Sequence, residues 1–293
     1  MSDPSSYRLD RAGLRAAFDR ASPRYESAAT LQARVAQELL TRLDAFAFAP
    51  AVVLDLGAGT GRVTARLKRR YPRARAIALD LSLGMLQEAR RHQRWRRRFD
   101  RVCGDAQRLP LASASVDLVF SNLMLQWCEP PDQALAEVRR VLKPDGFFAF
   151  STFGPATLGE LRSAWAAADG YSHVNHFLDV HDVGGALMRA GLSEPVLDVD
   201  RLEVSYPGVL ALMRDLKAIG AHNVTQGRPR SLLGRAHLAR MQQAYEERRR
   251  AGVLPATFEV IYGASWGAAG RLAAAAFGGE ARIAPGAIGR PRR

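Results

Sequence analysis

The chain has 293 residues, 2 cysteines and a formal net charge of +13. That length holds one large domain or two small ones, and the two cysteines, Cys103 and Cys128, point to neither a disulfide framework nor a zinc site. No apolar run is long enough to span a bilayer and no charged-then-apolar leader is present, so a reduced, cytoplasmic protein without a membrane partner is expected.

The sequence before residue 50 predicts a helical segment. Phe18-Asp19-Arg20-Ala21 and Arg24-Tyr25 lead into an amphipathic stretch, Leu31 to Leu43. Such a segment reads as a lid over a ligand site, and residues 1–49 are taken as that unit.

Next comes Val52-Val53-Leu54-Asp55-Leu56-Gly57-Ala58-Gly59-Thr60-Gly61, followed by a helical pattern from Arg62 to Arg70. An aliphatic strand, a glycine loop and a helix form the first unit of a nucleotide-type α/β domain. Glycines let the backbone turn sharply and approach a ligand, and the helix start aims free N–H groups at it. A dinucleotide site needs its third glycine where Arg62 stands, and a phosphate loop needs Lys and Ser or Thr where Arg62 and Val63 stand. Neither phosphate-binding pattern fits. Asp-x-Gly-x-Gly-x-Gly instead resembles motif I of the class I methyltransferases that use S-adenosylmethionine. The resemblance implies a cofactor contact at Asp55, Gly57, Ala58, Gly59 and Gly61.

Further pieces follow in the order that family implies. Arg75 to Asp80 is a second strand ending in an acid, placed to accept hydrogen bonds from ribose hydroxyls, with Leu81 beside it. Ser82 is the better N-cap for the next helix. Val102 to Ala106 ends a third strand, where Asp105 and the Ala106 N–H would receive adenine. Ser115 to Asn122 is a fourth strand whose tip, with Asn122 and then Gln126, lies at the edge where open α/β folds put their chemistry. Trp127 reads as core. A helix (Pro131 to Leu142), a Lys143-Pro144-Asp145-Gly146 turn and a fifth strand (Phe147 to Thr152) complete the core, residues 50–152.

After Thr152 helical signals appear at Leu158 to Ala168, Val180 to Ala190, Val209 to Ile219 and Ala236 to Arg250. Pro195 to Tyr206 and Pro255 to Tyr262 supply a sixth and a seventh strand. The expected fold is α/β: a class I, Rossmann-like methyltransferase with a seven-stranded, mostly parallel sheet, an N-terminal helical lid and an inserted helical cap. The methyltransferase domain is expected over residues 50–265, with the cap helices and last strands in 153–265. A basic tail, expected to be disordered, follows over 266–293.

The flanking segments carry a narrower resemblance. Phe18-Asp19-Arg20-Ala21…Arg24-Tyr25…Leu31-Gln32, Ser151-Thr152-Phe153-Gly154-Pro155, His173-Val174-Asn175-His176-Phe177, Leu216-Lys217…Gly220-Ala221…Asn223 and Pro255 to Tyr262 look like the malonyl-[acyl-carrier protein] O-methyltransferases of biotin synthesis. The likeness spans Arg8 to Trp266. It implies methyl transfer from S-adenosylmethionine to the free carboxylate of a malonyl thioester, on acyl-carrier protein or on coenzyme A, priming pimeloyl synthesis. A carboxylate is ionised near pH 7, so no general base is needed and no catalytic acid–base residue is named. Positioning and water exclusion should do the work. Candidates to hold the carboxylate are Arg24, Tyr25, Gln126, His173, Asn175, His176, Arg214 and Lys217. His173-x-x-His176 has metal-like spacing, but methyl transfer needs no metal and no third ligand stands nearby.

Two other readings bear on the charge and the cap. Tyr206 to Met213 is similar to a segment of respiratory complex I assembly factors, which would imply a protein partner. The net charge raises the possibility of nucleic acid, but no RNA-binding module is recognisable and Ser121-Asn122-Leu123-Met124 stands where base-amine methyltransferases carry Asn/Asp-Pro-Pro-Tyr/Phe. The basic clusters Arg66 to Arg75 and Arg90 to Arg101 read as solvated helix faces, or as a surface for an acidic carrier.

Overall fold

A computed structural model describes residues 9–267, apart from Ala47, Gly170, Ser172 and 222–233. Asn223 and the tail beyond Gly267 therefore lie outside the described residues. The elements are helices α1 (Arg11–Ala21), α2 (Tyr25–Ala28) and α3 (Thr30–Arg42), strand β1 (Val52–Leu56), α4 (Arg62–Arg70), β2 (Arg75–Asp80), α5 (Leu83–Glu88), β3 (Asp100–Cys103), β4 (Val116–Asn122), α6 (Pro131–Val141) and β5 (Leu142–Phe153). After them come α7 (Gly159–Ala168), α8 (Val180–Arg189), β6 (Ser193–Tyr206), α9 (Val209–Ala218), α10 (Arg235–Glu246) and β7 (Leu254–Trp266).

The strands form one seven-stranded sheet in the order β3-β2-β1-β4-β5-β7-β6. β1 to β5 pair in parallel, and β7 runs antiparallel to both β5 and β6. Strand order reverses between β1 and β4. In an open α/β sheet the crevice outside the carboxyl ends of those two strands is the binding position.

Alternation along the strands separates the two faces. Val53, Leu118, Phe120, Phe147 and Ala149 join the cluster with α3, α4, α7 and α10. Leu54, Leu56, Ile77, Val119, Phe148 and Phe150 join the cluster with α6 and α8. Both faces are covered, so the central strands are apolar almost throughout. α8 is therefore a layer helix packed with α6 beneath the sheet, and not part of a cap as the sequence suggested.

Several boundaries differ from expectation for local reasons. β5 begins at Leu142, because the Lys143–Gly146 stretch continues it through a register shift, with Lys143 Nζ 2.7 Å from Asp117 Oδ1. β7 runs on to Trp266, which thus belongs to the sheet and not to the tail. Its Gly263 lies against the Phe150 ring, where a Cβ would come within 2.2 Å. α10 stops at Glu246 because Arg250 and Val253 bridge across a turn with Ala251 and Gly252 at positive φ. Cys103 is exposed, because β3 is the sheet edge.

Candidate active site

The glycine loop is built by backbone demands. Gly57, Gly59 and Gly61 all have positive φ, at 78°, 53° and 72°. Gly57 and Ala58 donate their N–H groups to Leu79 O at 2.8 and 3.0 Å, which ties the loop to β2. A Cβ on Gly61 would sit 2.7 Å from Ala89 Cβ, so this glycine lets α4 and the α5 region close together. A Cβ on Gly59 would meet nothing within 4 Å. Its Cα therefore faces open space, which is what a ligand-facing glycine should do.

That space is a cleft of about 940 Å³, open mouth included, at the carboxyl ends of β1, β2 and β4. Gly57, Gly59, Asp80, Leu81, Asp105, Ala106 and Asn122 line it. The other named cofactor residues serve it from behind. Asp55 is buried and accepts from Thr64 Oγ1 at 2.6 Å, so it fixes the start of α4 instead of facing the cleft. Ala58 and Gly61 likewise shape the loop without lining the cleft.

Asp80 is the polar hinge of the site. Its Oδ2 accepts from Gly59 N and its Oδ1 from Ser82 N, both at 2.8 Å. Burial raises its pKa to about 6, against the opposing pull of the Ser82 and Gly59 N–H groups, and Asp19 pushes it further up. Burial also raises Asp55, to about 7, although the hydrogen bond from Thr64 opposes this. Ser82 caps α5 by accepting from Met85 N at 3.1 Å.

The N-terminal helices do cover the cleft. Leu14, Phe18, Tyr25 and Gln32 line it from above. Polar ties hold them down. Asp19 Oδ1 accepts from Ser82 Oγ at 2.6 Å and from Gly84 N at 2.9 Å. Glu26 Oε1 accepts from Thr60 Oγ1 at 2.6 Å and lies 2.6 Å from His92 Nε2. Burial pushes the Glu26 carboxyl up, but these partners outweigh it and hold it below its ordinary value. Arg11 pairs with Asp105, and Asn122 Nδ2 donates to Gln32 O at 3.2 Å.

Tyr25 and Gln126 are the substrate candidates that reach the cleft. Burial first, and the nearby Asp80 second, push the Tyr25 hydroxyl far up, so it stays a proton donor at any ordinary pH. Gln126 is held at both ends: its Nε2 donates to Leu123 O at 2.7 Å and its Oε1 accepts from Thr152 Oγ1 at 3.2 Å. The remaining candidates lie off the cleft. His173 stacks on Trp165, centroids 3.9 Å apart, and its Nε2 is 2.9 Å from Asp169. Asn175, two residues on, is buried, and His176 is exposed. Arg24, Arg214 and Lys217 point to solvent, with Arg214 Nε donating to Leu210 O at 3.3 Å. No group of three metal-ligating side chains occurs among the described residues.

Sequence reasoning missed the apolar wall. Trp127, read as core, lines the cleft and meets the Phe18 ring edge-on at 5.5 Å. Met124, Cys128, Phe153 and Ile219 complete that wall. Trp127 follows the β4 tip within five residues, and that position was the available signal. Arg11, one of many arginines, gave none.

Residues 54–150 match the family model for a methyltransferase domain. The chain is 49% identical to the malonyl-[acyl-carrier protein] O-methyltransferase of Methylovorus sp., covering 92% of this chain and 93% of that one. It is 50% identical to the protein of the same name from Laribacter hongkongensis, covering 91% and 92%. Among solved structures, the YcgJ protein of Bacillus subtilis shares the fold with a TM-score of 0.58 at 18% identity, over 80% of this chain and 99% of that one.

Proposed function

The chain belongs to the malonyl-[acyl-carrier protein] O-methyltransferases, and from that membership we propose that it methylates the free carboxylate of a malonyl thioester. The cofactor is S-adenosylmethionine, and the product is the malonyl methyl ester that primes pimeloyl synthesis for biotin. The observation that carries the reading is a lid-covered, mostly apolar cleft over a glycine loop and an acid, in a chain that matches these relatives over nine-tenths of its length.

The residues present fit the cofactor. Gly59 leaves open the space a Cβ would take, and Asp80 is oriented by two backbone N–H groups with lone pairs to spare for ribose hydroxyls. Asp105 and the Ala106 backbone would hold the adenine, the former exchanging Arg11 for the base amine. Gly57 and Asn122 would border the methionyl part. When bound, the cofactor supplies an electrophilic methyl group on a sulfonium.

The protein's own part is then positioning and drying. An ionised carboxylate needs no base. Phe18, Met124, Trp127 and Phe153 remove water from around it, which leaves its lone pair available for attack. Tyr25 holds the acceptor carboxylate by donating one hydrogen bond, weaker than an arginine fork and therefore less damaging to its nucleophilicity. Gln126 stiffens the wall opposite.

Carrier-bound malonate is the preferred substrate in this reading, with the coenzyme A thioester a poorer one. The reaction belongs in the cytoplasm: two free cysteines, one exposed, suit a reducing compartment. Among the described residues no helix is long and apolar enough to cross a membrane. Neither a membrane nor a nucleic acid is needed as a partner. The test is labelled methyl transfer to a malonyl thioester followed by mild base. Release of the label as methanol supports a carboxyl ester, and base-stable label contradicts it.

A further inference from the structure

The two arginine clusters have different fates in the fold. In the first, most cations are used internally. Arg66 donates to Gln37, Arg70 pairs with Asp44 and Arg75 with Asp100, both at 2.6 Å. Lys68 Nζ donates to Pro72 O and Ala74 O at 3.1 and 2.6 Å. In the second, Arg90, Arg94, Arg96, Arg97 and Arg98 are exposed, and none of the five forms an ion pair with a described acid. Trp95 sits among them, 79% exposed, with the Arg96 guanidinium 5.5 Å from its ring centroid. An exposed tryptophan with one guanidinium over its ring, in a segment of exposed arginines without ion pairs, is the composition of an interface centre, not of an ordinary solvated turn.

The segment is also held in place. Gln93 Nε2 donates to Phe99 O at 2.5 Å, and Phe99 is buried. His92 meets Glu26 of the lid, one residue from Tyr25, which lines the cleft. A partner seated on this patch would stand beside the lid edge.

We propose that residues 90–98 are the docking surface for the protein that carries the thioester, a partner offering an acidic helical face and an apolar contact for Trp95. The proposal rests on the malonyl-thioester reading. Charge complementarity of this kind sets encounter rate and register, while the buried aromatic supplies the anchor.

The test uses the full chain and two substrates, malonyl-loaded carrier protein and malonyl-pantetheine, which has the same reacting end but no protein. In the triple variant Arg94→Glu, Arg96→Glu, Arg97→Glu, KM for the carrier substrate should rise about tenfold or more, and Trp95→Ala should raise it several-fold. Turnover of malonyl-pantetheine should be unchanged in both variants, which also shows that they fold. Added salt should raise the wild-type KM for the carrier and leave that of the triple variant flat. An unchanged carrier KM in the variants, or an equal loss on both substrates, overturns the docking surface alone. A wild-type chain that methylates neither malonyl species overturns the reading on which it rests.

Discussion

The Gly59 N–H lies 2.8 Å from Asp80 Oδ2, so the glycine loop and the acid at the tip of β2 form one hydrogen-bonded unit. Twenty-one residues of chain separate them, and the sheet brings them together because β1 and β2 pair in register from Val52–Arg75 to Leu56–Leu79. Replacing Asp80 with Asn keeps the shape but removes the charge that ribose hydroxyls and the Gly59 N–H favour. Calorimetric titration should then show S-adenosylmethionine binding weakened about ten- to a hundredfold. Unchanged affinity would place the ribose elsewhere.

Two glycines of the loop should fail in different ways. Gly61→Ala forces a side chain into positive φ and against Ala89, so it should cost about 1–3 kcal/mol of stability by thermal or urea unfolding. Gly59→Ala also carries strain, but its methyl group points into the open cleft. Its main effect should be on cofactor affinity, with a larger ratio of binding loss to stability loss than Gly61→Ala. The reverse ratio would mean that Gly59 does not face the ligand.

The lid is tied to the cofactor side by Asp19, which accepts from Ser82 and Gly84. Asp19→Ala should loosen the lid and raise the cofactor dissociation rate on the order of tenfold, read by stopped-flow fluorescence of Trp127. Asp19 also raises the Asp80 pKa. In Asp19→Asn the pH midpoint of cofactor binding should therefore move down. A midpoint that stays put would show that the two carboxylates do not interact.

The pH dependence has a definite sign. Asp80 sits at about 6 and Asp55 at about 7, both raised by burial. Between the ordinary aspartate value and these values the folded state holds protons that the unfolded state has released. These two groups therefore make stability fall as pH rises from about 4 to about 7. Asp55→Asn, which can still accept from Thr64, should flatten that fall in urea melts. Cofactor affinity has the opposite sense, since ribose favours the ionised Asp80, and it should weaken as pH drops below about 6. A wild-type stability that rises from pH 4 to pH 7 no less steeply than in the Asp55→Asn variant would contradict the assignment.

The sheet and glycine loop were readable in the sequence because their signals are local. β1, β2, α4 and the Ser82 cap each follow from a run of a few residues with one periodicity. The lid was readable as a helix with a role, through Phe18 and Tyr25. The cleft wall was not. Whether Trp127 is core or lining depends on where the Phe18 ring lands, a tertiary fact. His173 failed for a related reason: a histidine in a loop looks available until Trp165 stacks on it and Asp169 fixes its ring. The two arginine clusters looked alike in the sequence. Only the fold shows that Asp44 and Asp100 neutralise members of one, while in the second Glu88 pairs with Arg91 and five other arginines form no ion pair with a described acid.

The measurement that tests the central claim most directly is mass spectrometry of a carrier protein incubated with this enzyme and S-adenosylmethionine. Malonyl-loaded carrier is the substrate and acetyl-loaded carrier, which lacks the free carboxylate, is the control. One methyl group should appear on the malonyl species alone, and should be lost in the Asp80→Asn and Gly59→Ala variants. Methylation of both species, or of neither while the cofactor still binds, would contradict the account.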